Sequence, residues 1–226
     1  FPPSIPLIIY VATASVSVAQ LFMGGVVPGL LMGVALMILV FIFAVKLKFE
    51  RHPFNFGIMI RQFFSSVLSL ITPLIILAGF TTGWFTPTEA SSIAVAYSLV
   101  ISLFVYRTMD WKTFKHCLLE SAITYANTLF IIGTSTLFTY VLVKEGISQQ
   151  IADLILGISD NPAVILLIIN IFLLILGMFM EPGAILTLML PVLLPIVKPL
   201  GIDLVHFGVV MVLNLMIGQV TPPFGV

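Results

Sequence analysis

The sequence predicts an all-α integral membrane protein with broken transmembrane helices and a re-entrant helical hairpin. Three observations carry that expectation. The 226 residues are 60% hydrophobic and only 8% charged, with mean hydropathy +1.24, where a soluble domain carries about 25% charged residues. The apolar runs have helical length, not the roughly ten-residue alternation of an outer-membrane barrel. Near the C-terminus two such runs are interrupted, by Glu181-Pro182-Gly183 and by Thr221-Pro222-Pro223-Phe224-Gly225. The second cannot continue as regular helix, because two prolines each remove a donor and clash with the preceding turn. Broken backbone in a bilayer is tolerated only where protein or a watery cavity covers it.

Charge and cysteine content exclude several classes. Nine basic and nine acidic residues give a formal net charge of zero, so nothing points to nucleic acid or a polybasic lipid contact. The single cysteine, Cys117, rules out an internal disulfide and a cysteine-based metal site, and reads as packing near an interface. There is no initiator Met and no signal peptide. Both ends resemble the middle of something, so a portion of a longer protein is expected. Pro2-Pro3 before Ser4 mirrors Pro222-Pro223 after Thr221, the kind of faint symmetry that inverted repeats in transporters leave.

In chain order, residues 5–23 read as one apolar helix with a hydroxylated stripe of Thr13, Ser15, Ser17 and Gln20. Such residues in a membrane helix ordinarily serve close packing, with ion contact the lesser reading. Gly24-Gly25 and Pro28-Gly29 predict a tight turn, and a span follows over 30–47. Lys46, Lys48, Arg51 and Arg61 make the densest basic loop, which the positive-inside rule places in the cytoplasm. His52 reads as a solvated loop histidine in the connection 52–61. Residues 62–80 cross outward with a kink at Pro73, and Thr86-Pro87-Thr88-Glu89 starts the next helix as a capping box. That helix returns over 90–106 to Arg107, Lys112 and Lys115 on the cytoplasmic side.

Residues 108–118 then read as an amphipathic interfacial helix with Trp111 at the headgroups, distinct from a span over 119–143. Asn127 in that span is expected to make an interhelical hydrogen bond, or in the minority reading to line a cavity. A polar helix over 144–157 lies at the outer interface. Asp160-Asn161-Pro162 caps a helix over 162–179, Glu181-Pro182-Gly183 turns, and 184–197 return. The return arm of about 14 residues spans about 21 Å, short of the roughly 30 Å hydrocarbon core, so a re-entrant hairpin fits better than two spans. After the loop 198–203, a helix over 205–219 starts at an interfacial His206 and breaks at Thr221. Asn214, seven residues earlier, shares about the same helical face.

GWFTPTEAS, the opening PPSIPLIIY, LFMGGVVPGLL, PIVKPLGIDLVHFGVV and IGQVTPPFGV occur in the order and spacing found in the large membrane subunit of tripartite ATP-independent periplasmic (TRAP) transporters. The chain resembles that family over essentially its whole length. The resemblance implies an inverted-repeat architecture of the ion-transporter type, with a re-entrant hairpin and a helix broken at the midplane in each repeat. By similarity, 1–29 holds the broken helix of the first repeat, 30–61 a transmembrane helix and cytoplasmic connection, and 62–157 scaffold and linking helices. The second hairpin occupies 158–204, and the broken helix of the second repeat 205–226. The first hairpin and the terminal helices are expected outside this chain.

The resemblance also implies sodium-coupled import of an organic acid (a dicarboxylate, sialic acid or a related carboxylate) by an elevator movement in the bacterial inner membrane. The implied partners are a small membrane subunit, a periplasmic substrate-binding protein, and the bilayer, with no nucleic acid. Elementary chemistry points to the ion site as well. Sodium takes several oxygen ligands, and helix breaks expose carbonyls that have lost their partners. Candidate cation ligands are therefore Pro3, Ser4, Gly177, Met180, Gly183, Gly218, Thr221 and Pro222. Ser4, Asn214 and Thr221 are candidate substrate contacts, and half-helix N-termini favour a carboxylate. The Glu181 carboxylate is not assigned to the ion. Three alternatives are weaker, of which a purely structural scaffold subunit leaves the broken helices unexplained. A single-component sodium- or proton-coupled carboxylate carrier leaves TPTEAS and GIDLVHFG unexplained. A membrane-embedded enzyme needs gathered acid, base or metal groups, whereas His52, His116 and His206 lie apart near helix ends.

Overall fold

The computed structural model describes residues 3–49, 55–159 and 161–223, without the side chains of Phe80 and Thr81. Among them the chain is helical throughout: α1 (Ile5–Ala14), α2 (Val18–Lys46), α3 (Phe56–Thr82), α4 (Pro87–Val100), α5 (Trp111–Lys144), α6 (Ile147–Leu156), α7 (Pro162–Gly177), α8 (Pro182–Val197) and α9 (Leu204–Val220). A π-helical turn, Ile101–Val105, continues α4. Four helices are long and apolar enough to cross a bilayer: α2, α3, α4 with its π-turn, and α5. The hairpin arms α7 and α8 have 16 residues each, about 24 Å at 1.5 Å per residue, and neither reaches across the hydrocarbon core.

The protein is thus an all-α, multi-pass membrane protein, and the exposed surface follows from its solvent. Every side chain from Leu36 to Phe43 of α2 is exposed, an apolar stretch of the kind that lipid or another protein surface covers. Several local expectations hold. The Thr86 side chain accepts from the Glu89 amide while Glu89 bonds back to the Thr86 amide, a complete capping box. Asn161 caps α7 by accepting from the Ala163 amide at 2.9 Å, while Asp160 lies outside the described residues, as do Arg51, His52 and Phe224-Gly225. The final helix ends at Val220, with Thr221 extended behind it.

Three expectations are corrected. The helix expected over 5–23 breaks at Ser15–Ser17, where Ser15 adopts a left-handed conformation at φ 56°. Hydroxyls lie on both sides of the break: Thr13 donates to the Ile9 carbonyl at 3.1 Å, and the Ser17 hydroxyl accepts from the Gln20 amide at 3.5 Å. The turn expected at 24–29 is absent, because Gly24, Gly25, Pro28 and Gly29 all lie inside continuous α2. In lipid no water competes for the backbone, so turn residues lose much of the force they have in water. The separate interfacial helix over 108–118 is instead the first part of α5, a 34-residue helix. Asp110 starts it by accepting from the Thr113 amide at 2.7 Å, and nothing in the sequence near residue 118 is a helix breaker. Asn127 is exposed.

The described residues form two compact units. The first runs over Gly25–Leu118 and includes Pro3. Its centre is the α3–α4 pair, joined by Tyr97 donating to the Leu68 carbonyl at 2.9 Å and Tyr106 donating to the Ser65 carbonyl at 2.9 Å. The second unit joins Ser4–Gly24 to the chain from Leu119 onward. There α8 is the most buried element, with Ile185, Leu186, Leu190 and Ile196 all but inaccessible. It packs on α1 and α6, while α7 packs on α9. Tyr10 of α1 is wholly buried and donates to the Leu204 carbonyl at 2.6 Å. Its ring lies against Gly208, where a Cβ would stand 2.5 Å from Cε1, so only glycine fits.

Candidate functional site: a hairpin tip beside a broken helix

The hairpin tip is built by the end of one helix and the start of another. At the end of α7 the amides of Met178, Phe179 and Met180 bond back to Leu174, Ile175 and Leu176. Beyond Leu176 no amide of the described residues closes onto the carbonyls of Gly177, Met178, Phe179 or Met180, the orphan acceptors that every helix C-terminus leaves. The next helix starts at once. The Glu181 carboxylate accepts from the Ala184 amide at 3.0 Å, so it neutralises the positive end of α8. Its carboxylate serves as the N-cap of α8.

The C-terminal end of α9 lies directly on that of α7. A Cβ on Gly218 would stand 2.9 Å from the Gly177 Cα and 3.0 Å from its carbonyl carbon, and one on Gly177 would stand 3.2 Å from the Leu215 carbonyl oxygen. Glycine at both positions is what lets the two backbones touch. One turn earlier in α9, the Asn214 amide nitrogen donates to both the backbone carbonyl and the side-chain oxygen of Asn170, each at 2.9 Å. The Asn214 side-chain oxygen is left buried without a partner. The glycine contact and the amide clasp fix α7 and α9 side by side with their negative ends together. Two such ends attract a cation.

The α9 break adds oxygen atoms. Thr221 donates its hydroxyl to the Ile217 carbonyl at 2.8 Å and its amide to the Gly218 carbonyl at 2.9 Å. Both carbonyls and the hydroxyl retain acceptor capacity. Pro222 is exposed and joined to Pro223 by a cis bond. Ser4 is the N-cap residue of α1, is extended (φ −142°), and makes no side-chain capping bond.

The structure therefore brings some candidate residues together and leaves others apart. Gly177, Gly218 and Thr221 form one locus, and Met180 follows Gly177 on the same turn. Gly183 belongs to the first turn of α8, and its carbonyl already accepts the Thr187 hydroxyl at 2.8 Å. A Cβ there would stand 2.8 Å from a carboxylate oxygen of Glu181 and 3.2 Å from Ile9 of α1. Among the described residues no hydrogen bond links Ser4 to Thr221. Pro3 is a half-buried bend residue of the other unit. Asn214 is held by Asn170, which sequence reasoning passed over. Its signal was present: one amide in the otherwise apolar arm PAVILLIINIFLLILG, where a polar side chain needs a partner. No group of three His, Cys, Asp or Glu able to hold a metal occurs among the described residues.

Comparison with known proteins places these features in a family. The whole chain, residues 1–226, matches the family described as "Tripartite ATP-independent periplasmic transporter, DctM component". It is 42% identical to the C4-dicarboxylate TRAP transporter large permease protein of Pseudomonas aeruginosa, over 99% of this chain and 53% of that protein. It is also 42% identical to the sialic acid TRAP transporter large permease protein of Vibrio cholerae, with the same 99% and 53% coverage. To the isethionate TRAP transporter permease protein DctMQ of Oleidesulfovibrio alaskensis it is 41% identical, over 100% of this chain and 36% of that protein. The chain thus spans about half the length of the first two relatives, all three of which are named as permeases and not as enzymes.

Proposed function

This chain belongs to the DctM component family of the tripartite ATP-independent periplasmic transporters, and from that premise we propose that it is the ion-coupling half of a large permease subunit. In this reading the complete subunit imports an organic acid across the bacterial inner membrane, driven by sodium. A periplasmic binding protein delivers the substrate, and a small membrane subunit completes the permease. The relatives' substrates, a C4-dicarboxylate, sialic acid and isethionate, share one feature, an anionic headgroup on a small polar body. The hairpin-bearing unit is the part that moves, in elevator fashion.

The observation that carries the reading is the Gly177–Gly218 contact. It sets two helix C-termini side by side, and with them a set of carbonyl oxygens of the kind sodium takes. In this reading Gly177, Met180, Gly218 and Thr221 hold the ion, with the unpartnered Asn214 oxygen one turn away as a further acceptor. Gly183 contributes by leaving room for the Glu181 carboxylate that caps α8. Ser4, at the uncapped start of α1, offers an amide end and a hydroxyl for the substrate anion.

The test uses the complete permease with its small subunit in proteoliposomes. Uptake of C4-dicarboxylate, sialic acid and isethionate is followed with and without an inward sodium gradient, and with and without the binding protein. Uptake requiring both is expected, and uptake requiring sodium alone would favour a single-component carrier. Absence of sodium dependence would sink the ion assignment. Thr221→Ala is expected to weaken apparent sodium affinity by about tenfold, the scale of one hydrogen bond or contact to a charged group.

A further inference from the structure

Helix α8 contains two internal prolines, Pro191 and Pro195. A proline has no N–H, so each leaves the carbonyl four residues earlier without its helical donor. For Pro191 that carbonyl belongs to Thr187, a residue only 9% exposed. A buried orphan carbonyl is costly in any protein and more so in a membrane. The structure supplies a substitute from outside the hairpin: Thr139 of α5 donates its hydroxyl to the Thr187 carbonyl at 3.2 Å. Thr187 in turn donates its own hydroxyl to the Gly183 carbonyl at 2.8 Å, at the hairpin tip.

We infer that Thr139 is a positioning residue: it clasps the hairpin arm to α5 at the carbonyl that Pro191 opens, and through Thr187 it sets where the tip sits. The inward register of α5 agrees. Ser135 is buried, and Thr139 and Leu142 are half-buried in a helix whose other side chains nearby are mostly exposed. This is the face that α5 turns toward the hairpin. The arms α7 and α8 touch each other little and dock on other helices, so a donor from α5 constrains α8 in a way that its hairpin partner does not. Because the bond ends on backbone, it fixes the path of α8 itself and not one rotamer. The clasp stands on the geometry alone, and its effect on ion coupling rests on the permease reading above.

The decisive experiment is an epistasis test on the complete permease in detergent, with neither substrate nor sodium added. It compares Thr139→Val, Thr139→Ser and Pro191→Ala with the double variant Thr139→Val/Pro191→Ala, reading amide exchange of α8 by mass spectrometry. In Pro191→Ala the new alanine N–H can reach the Thr187 carbonyl, so the clasp becomes redundant. Thr139→Val is expected to speed exchange in α8 by between about threefold and about fifteenfold, the range for one interhelical hydrogen bond in a membrane. Thr139→Ser should match the parent, and Thr139→Val should have no effect in the Pro191→Ala background. Equal effects in both backgrounds, or Ser behaving as Val, would overturn the clasp, since a packing defect is indifferent to Pro191. If Pro191→Ala does not fold, the Ser and Val contrast decides. In sodium-dependent uptake, apparent sodium affinity should fall for Thr139→Val and not for Thr139→Ser. An exchange effect without that shift would leave the clasp standing and overturn its link to the tip.

Discussion

The pairs α3–α4 and α7–α8 are made from similar apolar sequence, each with proline inside one arm, yet they are held in opposite ways. In α3–α4 the arms bond to each other: Tyr97 and Tyr106 donate to the Leu68 and Ser65 carbonyls, Ser69 donates to the Tyr106 hydroxyl at 3.3 Å, and Thr72 meets Ser98 at 3.4 Å. In α7–α8 each arm is held by something else. The first arm is fixed to α9 by glycine backbones and an amide clasp, and the second to α1, α6 and the hydroxyl of Thr139. A pair that bonds to itself is a stable element wherever it is put. A hairpin bonded to its neighbours takes its geometry from them.

The largest expected break in this comparison is Gly218→Ala. The new Cβ would stand 2.9 Å from the Gly177 Cα, and backbone cannot swing aside as a side chain can, so α7 and α9 must separate. Overpacking of this kind costs about 1–3 kcal/mol, and it should appear as a lower melting temperature in detergent together with loss of sodium-dependent uptake. Gly33→Ala is the control, because nothing lies within 4 Å of the Cβ it would gain. Equal effects at the two positions would show that the glycine contact does not set the site. Next comes Asn214→Ala, which removes two bonds, against Asn170→Ala, which removes one and leaves the backbone carbonyl as partner. At about 0.6 kcal/mol per interhelical bond, Asn214→Ala should be the more destabilising in thermal unfolding. The reverse order would mean that relief of the buried, unpartnered Asn214 oxygen outweighs the bonds it loses.

How much of this was legible in the sequence depends on which physics each feature obeys. Features set by local chemistry read directly. Thr86 and Asn161 cap their helices as their side chains dictate, Thr221 ends α9 because two prolines follow, and the hairpin arms are too short to span. Features set by the solvent were misread. Gly24-Gly25 and Pro28-Gly29 signal a turn where water can take the freed groups, whereas in α2 the helix runs through them. The real break at Ser15–Ser17 was marked instead by the hydroxyls of Thr13, Ser15 and Ser17, which were assigned to packing and not to ends. Pairings distant in sequence had no local signature at all. Asn170 with Asn214 and Thr139 with Thr187 are separated by 44 and 48 residues, and each residue announces only that it needs a partner, not which one. The Pro191 carbonyl gap is the partial exception, since a proline inside a buried arm states where a donor will be needed.

The self-bonded pair should be the more forgiving of the two. Tyr97→Phe deletes one hydroxyl bond and Tyr106→Phe deletes two, so losses of about 0.6 and about 1.2 kcal/mol are expected from the membrane average, with sodium dependence unchanged in both. A change in apparent sodium affinity in either variant would erase the distinction drawn between the pairs.

The smallest effect concerns how the long helix α5 starts, just outside the bilayer-spanning segments. Asp110 is exposed and accepts from the Thr113 amide at 2.7 Å. The Thr113 side chain and then the Thr113 amide hold its carboxyl below the ordinary value of 3.8. The folded form thus binds its proton less tightly than the unfolded one, so the cap contributes at every pH above 3.8 and is lost as pH falls through the folded value beneath it. Exchange at the Thr113 amide, followed from pH 6 downward and corrected for intrinsic rates, should therefore stay flat to about 4 and accelerate only below. Asp110→Asn keeps an acceptor oxygen and should remove that inflection while leaving the amide protected. Since the cap is exposed and confined to one turn, neither the inflection nor its removal should reach the hairpin. An effect of Asp110→Asn on α8 exchange would mean that the long helix transmits its first turn to Thr139, and that the hairpin depends on more of α5 than the single hydroxyl that reaches it.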